Sequence, residues 1–424
     1  MLCSAFFLFR RPPTWILILS AITVCCFCAP VYGDTAPAPQ VPGVVFAMND
    51  FGFRMTRHLP ERKANLVYSP GSIYTALAMT AAGSAGETAE EFDSLLGASV
   101  RDAAFHRSIR LVREMLSPCM HPPDAADDGK KGVTLYMASR LFPLRGAPLR
   151  PDFLSLLREY HAAGCTPVDY VSAADEARDT INSWTREQTQ GKIPDLVPPG
   201  ILDALTRLVL VNAVYFKGDW MHPFAVSDTA SAPFHREDGE IRAADFMTRA
   251  GVYRTARVAG VRLAALPYEG DAMELVLVLP SPGEKAADLE DRLTSALWRR
   301  WMENLGPDRR RLFLPRFSIA RSISLKKCLS SMGIPGAFER DRADFSGMDG
   351  KPGYLYISAA LHKAVIEVNE TGTEAAATTG IIMAARGVSS PMEALRFDRP
   401  FLFFIREKTT GLILFSGRFM DPSS

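Results

Sequence analysis

Residues 370–387 read ETGTEAAATTGIIMAARG. From Gly372 to Gly380 every side chain is small except that of Glu374, the one charge. Ile381, Ile382, Met383, two alanines and Arg386 follow. Such a run suits a segment that is a loop in one state and a strand in another. Strand side chains alternate between two faces. One face would hold Thr373, Ala375, Ala377, Thr379, Ile381 and Met383, none of them charged; the other would hold Glu374, Ala376, Thr378, Gly380, Ile382 and Ala384. A slip of one residue would bury Glu374 without a partner, so the register of an insertion into a packed sheet is specified. Fully extended, Thr373 to Arg386 reaches about 45 Å. Taken alone, the stretch also fits a flexible small-residue loop or an ordinary strand in a crowded barrel.

Outward from this stretch, the chain has 424 residues, 47% hydrophobic and 22% charged, enough apolar material for a large core. A formal charge of +1 gives no bias toward nucleic acid. There is no Gly-x-Ser-x-Gly elbow, His-Glu-x-x-His, phosphate loop or dinucleotide fingerprint, and the seven histidines are scattered, which argues against an enzyme. At the N-terminus, Arg10 and Arg11 precede an apolar run from Trp15 to Ala29, and Val31-Tyr32-Gly33 offers small residues at both peptidase positions. The run is shorter than the ~20 residues a membrane span needs, so residues 1–33 read as a cleaved secretory signal and the protein as extracellular, free of the membrane once cut. Cleavage removes two arginines and no acid, turning the net charge to −1. It also removes Cys3, Cys25, Cys26 and Cys28. Cys119, Cys165 and Cys328 remain, too few for a disulfide framework. His161 and Cys165, four apart on a predicted helix, have no second ligand pair and read as structural rather than metal-binding.

Residues 34–45 form a Pro-rich spacer. A helical pattern starts at Phe46, a short strand spans residues 65–70, and helices are predicted over 72–80, 87–96, 103–116 and 175–190. Residues 122–131 read as a polar loop. Strands are predicted over 133–138, 206–216, 273–279, 311–319, 364–368, 401–406 and 412–415. Helices dominate the first half and strands the second, without repeat or interior linker. The prediction is one α+β domain over residues 46–424.

Glu367-Val-Asn-Glu-Thr-Gly-Thr-Glu-Ala-Ala-Ala-Thr378 resembles the hinge of inhibitory serpins. The resemblance continues in order through Asn65-Leu-Val-Tyr-Ser-Pro-Gly-Ser-Ile73, Ile181-Asn-Ser-Trp184, Thr189-Gln-Gly-Lys-Ile193 and Leu210-Val-Asn-Ala-Val-Tyr-Phe-Lys-Gly-Asp-Trp220. Leu314-Pro-Arg-Phe317, His362-Lys-Ala-Val365 and Asp398-Arg-Pro-Phe401 complete it. Thr206–Asn212 and Asp398–Phe403 look most like the plasminogen activator inhibitor and protease nexin branch. The resemblance implies a serpin fold: a single α+β domain with three β-sheets, about eight or nine helices and an exposed reactive-centre loop at about 370–396. It implies a suicide inhibitor of trypsin-like serine proteases. The protease attacks the loop and forms a covalent acyl complex, and the cut loop inserts into the main sheet before the complex hydrolyses.

The family's spacing puts the reactive bond fourteen residues after Gly372, at Arg386–Gly387. Arginine there suits a specificity pocket with a buried aspartate, as in trypsin, thrombin, plasmin and the plasminogen activators. The implied hinge is Glu370, Gly372, Thr373, Glu374, Ala375, Ala376, Ala377 and Thr378. The implied shutter under the opening sheet is Ser69, Ser72, Asn182 and His362, and Trp220 marks the breach where the loop enters. Arg101, Arg107, Arg110 and Arg113 match the helix where heparin-binding relatives place basic residues, so a glycosaminoglycan is a candidate accelerator; no cofactor is required. Gly387, and the 14 residues from there to Pro400, depart from many relatives. Asn369-Glu370-Thr371 is the single glycosylation sequon, at a strand end that predicts poor occupancy. The expected state is a monomer. The competing readings are a non-inhibitory serpin that carries a ligand and a hydrolase without a recognisable motif.

Overall fold

Residues 41–119, 132–373 and 392–423 are described by the structure, a computed structural model. The predicted signal, most of the spacer, the loop at 122–131 and the stretch from Glu374 through Arg386 and Gly387 lie outside the described residues.

The first helices are α1 (Val41–Thr56), α2 (Pro70–Ala81), α3 (Gly86–Leu96), α4 (Ala103–Leu116), α5 (Pro151–Leu156) and α6 (Ala174–Gln188). α1 begins inside the stretch expected to be spacer, because a proline such as Pro42 is tolerated in the first turn of a helix. α2 starts where the Ser69 side chain accepts the Ser72 N–H and Pro70 pre-sets the first turn. Eleven of its twelve residues are buried, so it is a central helix. α4 is capped by Asp102 and buries Phe105, Ile109, Val112 and Leu116 along one stripe. Ten α-helices occur among the described residues, against the eight or nine expected.

Fourteen strands follow in chain order: β1 (Leu66–Tyr68), β2 (Val133–Pro143), β3 (Leu208–Asp219), β4 (Ala230–His235), β5 (Ile241–Val258), β6 (Val261–Pro267) and β7 (Met273–Pro280). Then come β8 (Gly306–Pro315), β9 (Phe317–Ser324), β10 (Ile357–Val368), β11 (Gly372–Thr373), β12 (Ala394–Arg396), β13 (Phe401–Glu407) and β14 (Ile413–Phe419). Nine of them form one hydrogen-bonded network, β1-β14-β13-β7-β6-β5-β8-β12, with β4 added on β5. The 18-residue β5 is shared within it: its first part pairs with β4 and its last with β6, so the network is two sheets joined through β5. With the five-stranded sheet β2-β3-β11-β10-β9, the fold is α+β with three sheets.

The predicted strand at 311–319 is two strands, broken at Arg316. β4, β5 and β6 went unpredicted because β5 mixes exposed, half-buried and buried residues and carries four arginines, which hides an apolar period. β3 is the reverse case: nine consecutive positions from Leu208 are buried, as a central strand requires. α6 packs Ala177 and Ile181 on the outer face of the five-stranded sheet, against Val209, Val211 and Leu361. The main core lies on the inner face, with Leu210, Val214 and Phe216 against α2, β13 and β14.

Candidate functional site

The strand order of the five-stranded sheet contains the site. β3 and β10 pair directly, in parallel, from Leu208 opposite Ile357 to Tyr215 opposite Val365. Beyond Tyr215 they part. β11 stands between their ends, antiparallel to both, with Gly372 opposite Asp219 and Thr373 opposite Gly218 and Val368. One sheet therefore has a closed seam at one end and a wedge of two residues at the other.

The wedge depends on glycine for contact, not for a special φ. A Cβ on Gly372 would lie 2.1 Å from the Gly218 carbonyl oxygen and 2.7 Å from the Asp219 Cα, backbone atoms that cannot move aside cheaply. Gly218 has no room either, because the Tyr268 ring would sit 2.8 Å from its Cβ. Thr373 is fully buried and its hydroxyl lies 2.7 Å from the Tyr268 hydroxyl. Burial raises the Tyr268 pKa well above its ordinary value, so the phenol stays neutral. Tyr268 stacks on Trp220 with centroids 4.7 Å apart. The Trp220 indole N–H donates to the Asn369 carbonyl (2.9 Å), its backbone N–H to the Thr371 carbonyl (2.9 Å), and the Phe224 N–H to the Glu370 carbonyl (2.8 Å). Glu370 accepts from the Thr229 hydroxyl at 2.7 Å and faces Arg316 at 3.5 Å. The chain turns back over Asn369, whose side-chain oxygen accepts from the backbone N–H of Thr371 and Gly372. Asn369 is thus buried and committed to its own turn.

The closed end is held by a polar cluster beneath the seam. The His362 Nδ1–H donates to Asn212 Oδ1 across the β3–β10 pair at 2.6 Å, and His362 Nε2 accepts the Ser69 backbone N–H at 3.1 Å. The Asn212 amide donates to the hydroxyls of Ser72 (2.7 Å) and Ser139 (2.8 Å). Complete burial pushes the His362 pKa down to about 3, so the imidazole is neutral, in the tautomer these two hydrogen bonds define.

Of the four residues expected there, Ser69, Ser72 and His362 lie together in this cluster. Asn182 does not join them. It lies on α6, where its side chain accepts from the N–H groups of Leu196 and Val197 and donates to the Val197 carbonyl. Asn212 supplies the expected amide, with Ser139 beside it. A polar residue in the middle of the apolar 206–216 run was the signal for Asn212, since a buried amide needs partners. Ser139 and Tyr268 carried no such signal. Of the four arginines, Arg101 is exposed before α4, Arg107 is half-buried and Arg110 pairs with Glu114 at 2.9 Å. Arg113 turns inward, with its Nη1 buried and lacking a hydrogen-bond partner among the described residues. The predicted His161–Cys165 helix face does not form, because the helix ends at Ala162 with φ of 46° and Cys165 bridges to Leu141. From the hinge, Glu370, Gly372 and Thr373 are in the wedge; Glu374 to Thr378 lie outside the described residues.

The family model described as Serpin (serine protease inhibitor) matches residues 46–422. The chain is similar to the leukocyte elastase inhibitor of Bos taurus, with 37% identity covering 88% of this chain and 97% of that one. It is similar to antithrombin-III of Homo sapiens, with 32% identity covering 89% and 81%. Among solved structures it matches Serpin48 of Tenebrio molitor with a TM-score of 0.77 and 31% identity, over 92% of this chain and 100% of that one.

Proposed function

We propose that this chain, which belongs to the serpin family, is an inhibitory member that traps trypsin-like serine proteases by cleavage at Arg386–Gly387. The observation that carries this reading is the wedge: Gly372 and Thr373 already form the first rungs of a strand between β3 and β10. Continuing the ladder that pairs Gly372 with Asp219 and Thr373 with Gly218 brings residues 372–383 alongside the twelve residues of β3. In that register the uncharged face follows Thr373 toward the core and Glu374 points to the α6 side. Insertion exchanges one parallel ladder for two antiparallel ones, so it adds backbone hydrogen bonds and drives the sheet to a more stable state. The native fold is then a kinetic trap held by its closed seam.

Arginine at the reactive bond favours a protease whose pocket ends in a carboxylate; a small elastase-type pocket would prefer Ala384 or Ala385, one or two residues earlier. The branch reading rests on Thr206–Asn212 and Asp398–Phe403, and the similarity to leukocyte elastase inhibitor and antithrombin-III widens the set of proteases to be tried. Secretion with cleavage after Gly33, a monomeric state and acceleration by heparin through Arg101, Arg107 and Arg110 complete the reading. Arg113 contributes little to a polyanion surface from its inward position.

The test mixes residues 34–424 with urokinase, tissue plasminogen activator, thrombin, plasmin, trypsin and leukocyte elastase, each run on a denaturing gel. A band at the summed mass that disappears in Arg386→Ala supports the proposal. Cleavage at Arg386 without that band assigns the chain to the carrier reading instead. Complex with elastase alone, persisting in Arg386→Ala, would move the reactive bond to Ala384 or Ala385.

A further inference from the structure

A cavity of about 220 Å³ opens where the β5–β6 hairpin meets β8 and β12. Arg257 of β5 and Arg262 of β6 both line it. They are direct antiparallel partners, so their side chains leave the same face of the sheet side by side. Like charges placed this way repel. Neither side chain has an ion pair or hydrogen bond among the described residues. The two carboxylates that line the cavity, Asp308 and Glu393, do not relieve the pair, because both are engaged by Arg310. A third arginine stands close by. The Arg399 Nη2–H donates to the Pro280 carbonyl at 2.7 Å, and Pro280 pairs with Val261, next to Arg262. Burial and then the Arg262 charge lower the Arg399 pKa. Its Nε is buried without a hydrogen-bond partner among the described residues, and Asp398 faces it at 3.7 Å.

We propose that Arg257 and Arg262 together bind a phosphate monoester. Two adjacent guanidinium groups without counter-charge call for one group that carries two negative charges. A phosphate monoester carries close to two at neutral pH and accepts hydrogen bonds from a fork on either side. A carboxylate or a sulfate ester brings only one. Arg257 is exposed and Arg262 half-buried, so the phosphoryl group enters from solvent and its organic part stays outside. Two sources carry this group: a free small ester and a phosphorylated side chain of a partner protein. β12 lines the cavity and begins at Ala394, on the stretch that leads away from Arg386 and Gly387. A phosphorylated partner held here would lie beside the strand that follows the reactive bond. That consequence rests on the inhibitor reading; the binding itself does not.

The probes are glycerol 3-phosphate and N-acetyl-O-phosphoserine amide, with methyl sulfate and acetate as singly charged controls. Each is titrated calorimetrically into residues 34–424 at low ionic strength in phosphate-free buffer. At least one phosphate is expected to saturate a single site, with both controls at least tenfold weaker. Tighter binding of the phosphoserine amide assigns the site to a phosphorylated partner, and tighter binding of glycerol 3-phosphate to a free ester. Arg257→Gln and Arg262→Gln should each weaken the phosphate at least tenfold, a charge-assisted hydrogen bond's worth. Both should keep a ligand-free thermal midpoint at or above wild type, because the like-charge pair is gone. Arg309→Gln removes an exposed arginine from the face of β8 opposite Arg310 and should change the affinity by less than about twofold. Unsaturable heats with both phosphates, controls that bind as tightly, or an equal loss in Arg309→Gln would each overturn the proposal. These readouts need no protease, so failure of the inhibitor reading leaves them intact.

Discussion

At its closed end, the seam between β3 and β10 is held by parallel backbone pairing over a buried His362–Asn212 hydrogen bond of 2.6 Å. At its other end the same two strands stand apart around Gly372 and Thr373, under a lid of Trp220 and Tyr268. The closed end is a set of polar groups with no spare partners, so separating it leaves buried donors and acceptors unmet. The wedge end is shape and contact: a glycine that only glycine can replace, two stacked rings and one buried hydroxyl pair. A sheet built this way opens from the wedge and resists at the cluster.

The largest effect should come from a charge in the wedge. Thr373→Arg places a guanidinium where the wild-type side chain is fully buried against Tyr268. The variant should fold with β11 expelled and be cut at Arg386 as an ordinary substrate. Covalent complex on a denaturing gel should fall at least tenfold. Full trapping by this variant would mean that the wedge is not the entry point.

Next is the cluster. His362→Ala leaves Asn212 Oδ1 and the Ser69 N–H unpaired in a dry site and should cost about 2–4 kcal/mol. The expected readout is a lower thermal midpoint with faster conversion to a loop-inserted, heat-resistant form. A midpoint equal to wild type would show that the cluster does not gate the seam.

A smaller effect is expected from acid. The His362 pKa falls from an ordinary value near 6.5 to about 3 on folding, so the unfolded chain binds the proton first. The stabilisation is complete above about pH 6.5 and is lost progressively as pH falls toward 3. His161 is also pushed down to about 3, by burial and then by His106 and Arg113, and acts in the same direction. The His362 share is therefore the difference between wild type and His362→Gln in thermal midpoint measured from pH 7.5 to 4. Parallel curves would remove His362 from the account.

The smallest is Trp220→Phe. It keeps the stacking on Tyr268 and deletes the indole hydrogen bond to Asn369, worth about 1 kcal/mol. Amide exchange at Gly372 and Thr373 should quicken about fivefold while exchange along Leu208–Tyr215 stays unchanged. Equal quickening along both would show that the two ends open as one unit.

Much of this was legible in the chain itself. The small-residue run pointed to a strand that begins at Gly372–Thr373 and to an inward-facing Thr373, because alternation and the cost of a buried carboxylate are local rules. Thr373 lies inward as that rule requires. The apolar run through Val214 marked a central strand, since a strand covered on both faces has no polar alternation to lose. Ser69, read from the sequence as part of a short strand, caps α2 instead. Only the tertiary structure decided who meets whom. Asn182 and Asn212 are the same residue type in similarly apolar settings, yet one pins the Leu196–Val197 turn and the other bonds His362. Arg110 and Arg113 stand three apart on one helix, yet one pairs with Glu114 at the surface and the other turns inward. Each outcome is set by what other elements bring alongside, over separations of tens to hundreds of residues that no local period encodes. Sequence patterns record how a segment partitions between core and water; the identity of a polar partner is a property of the packed assembly.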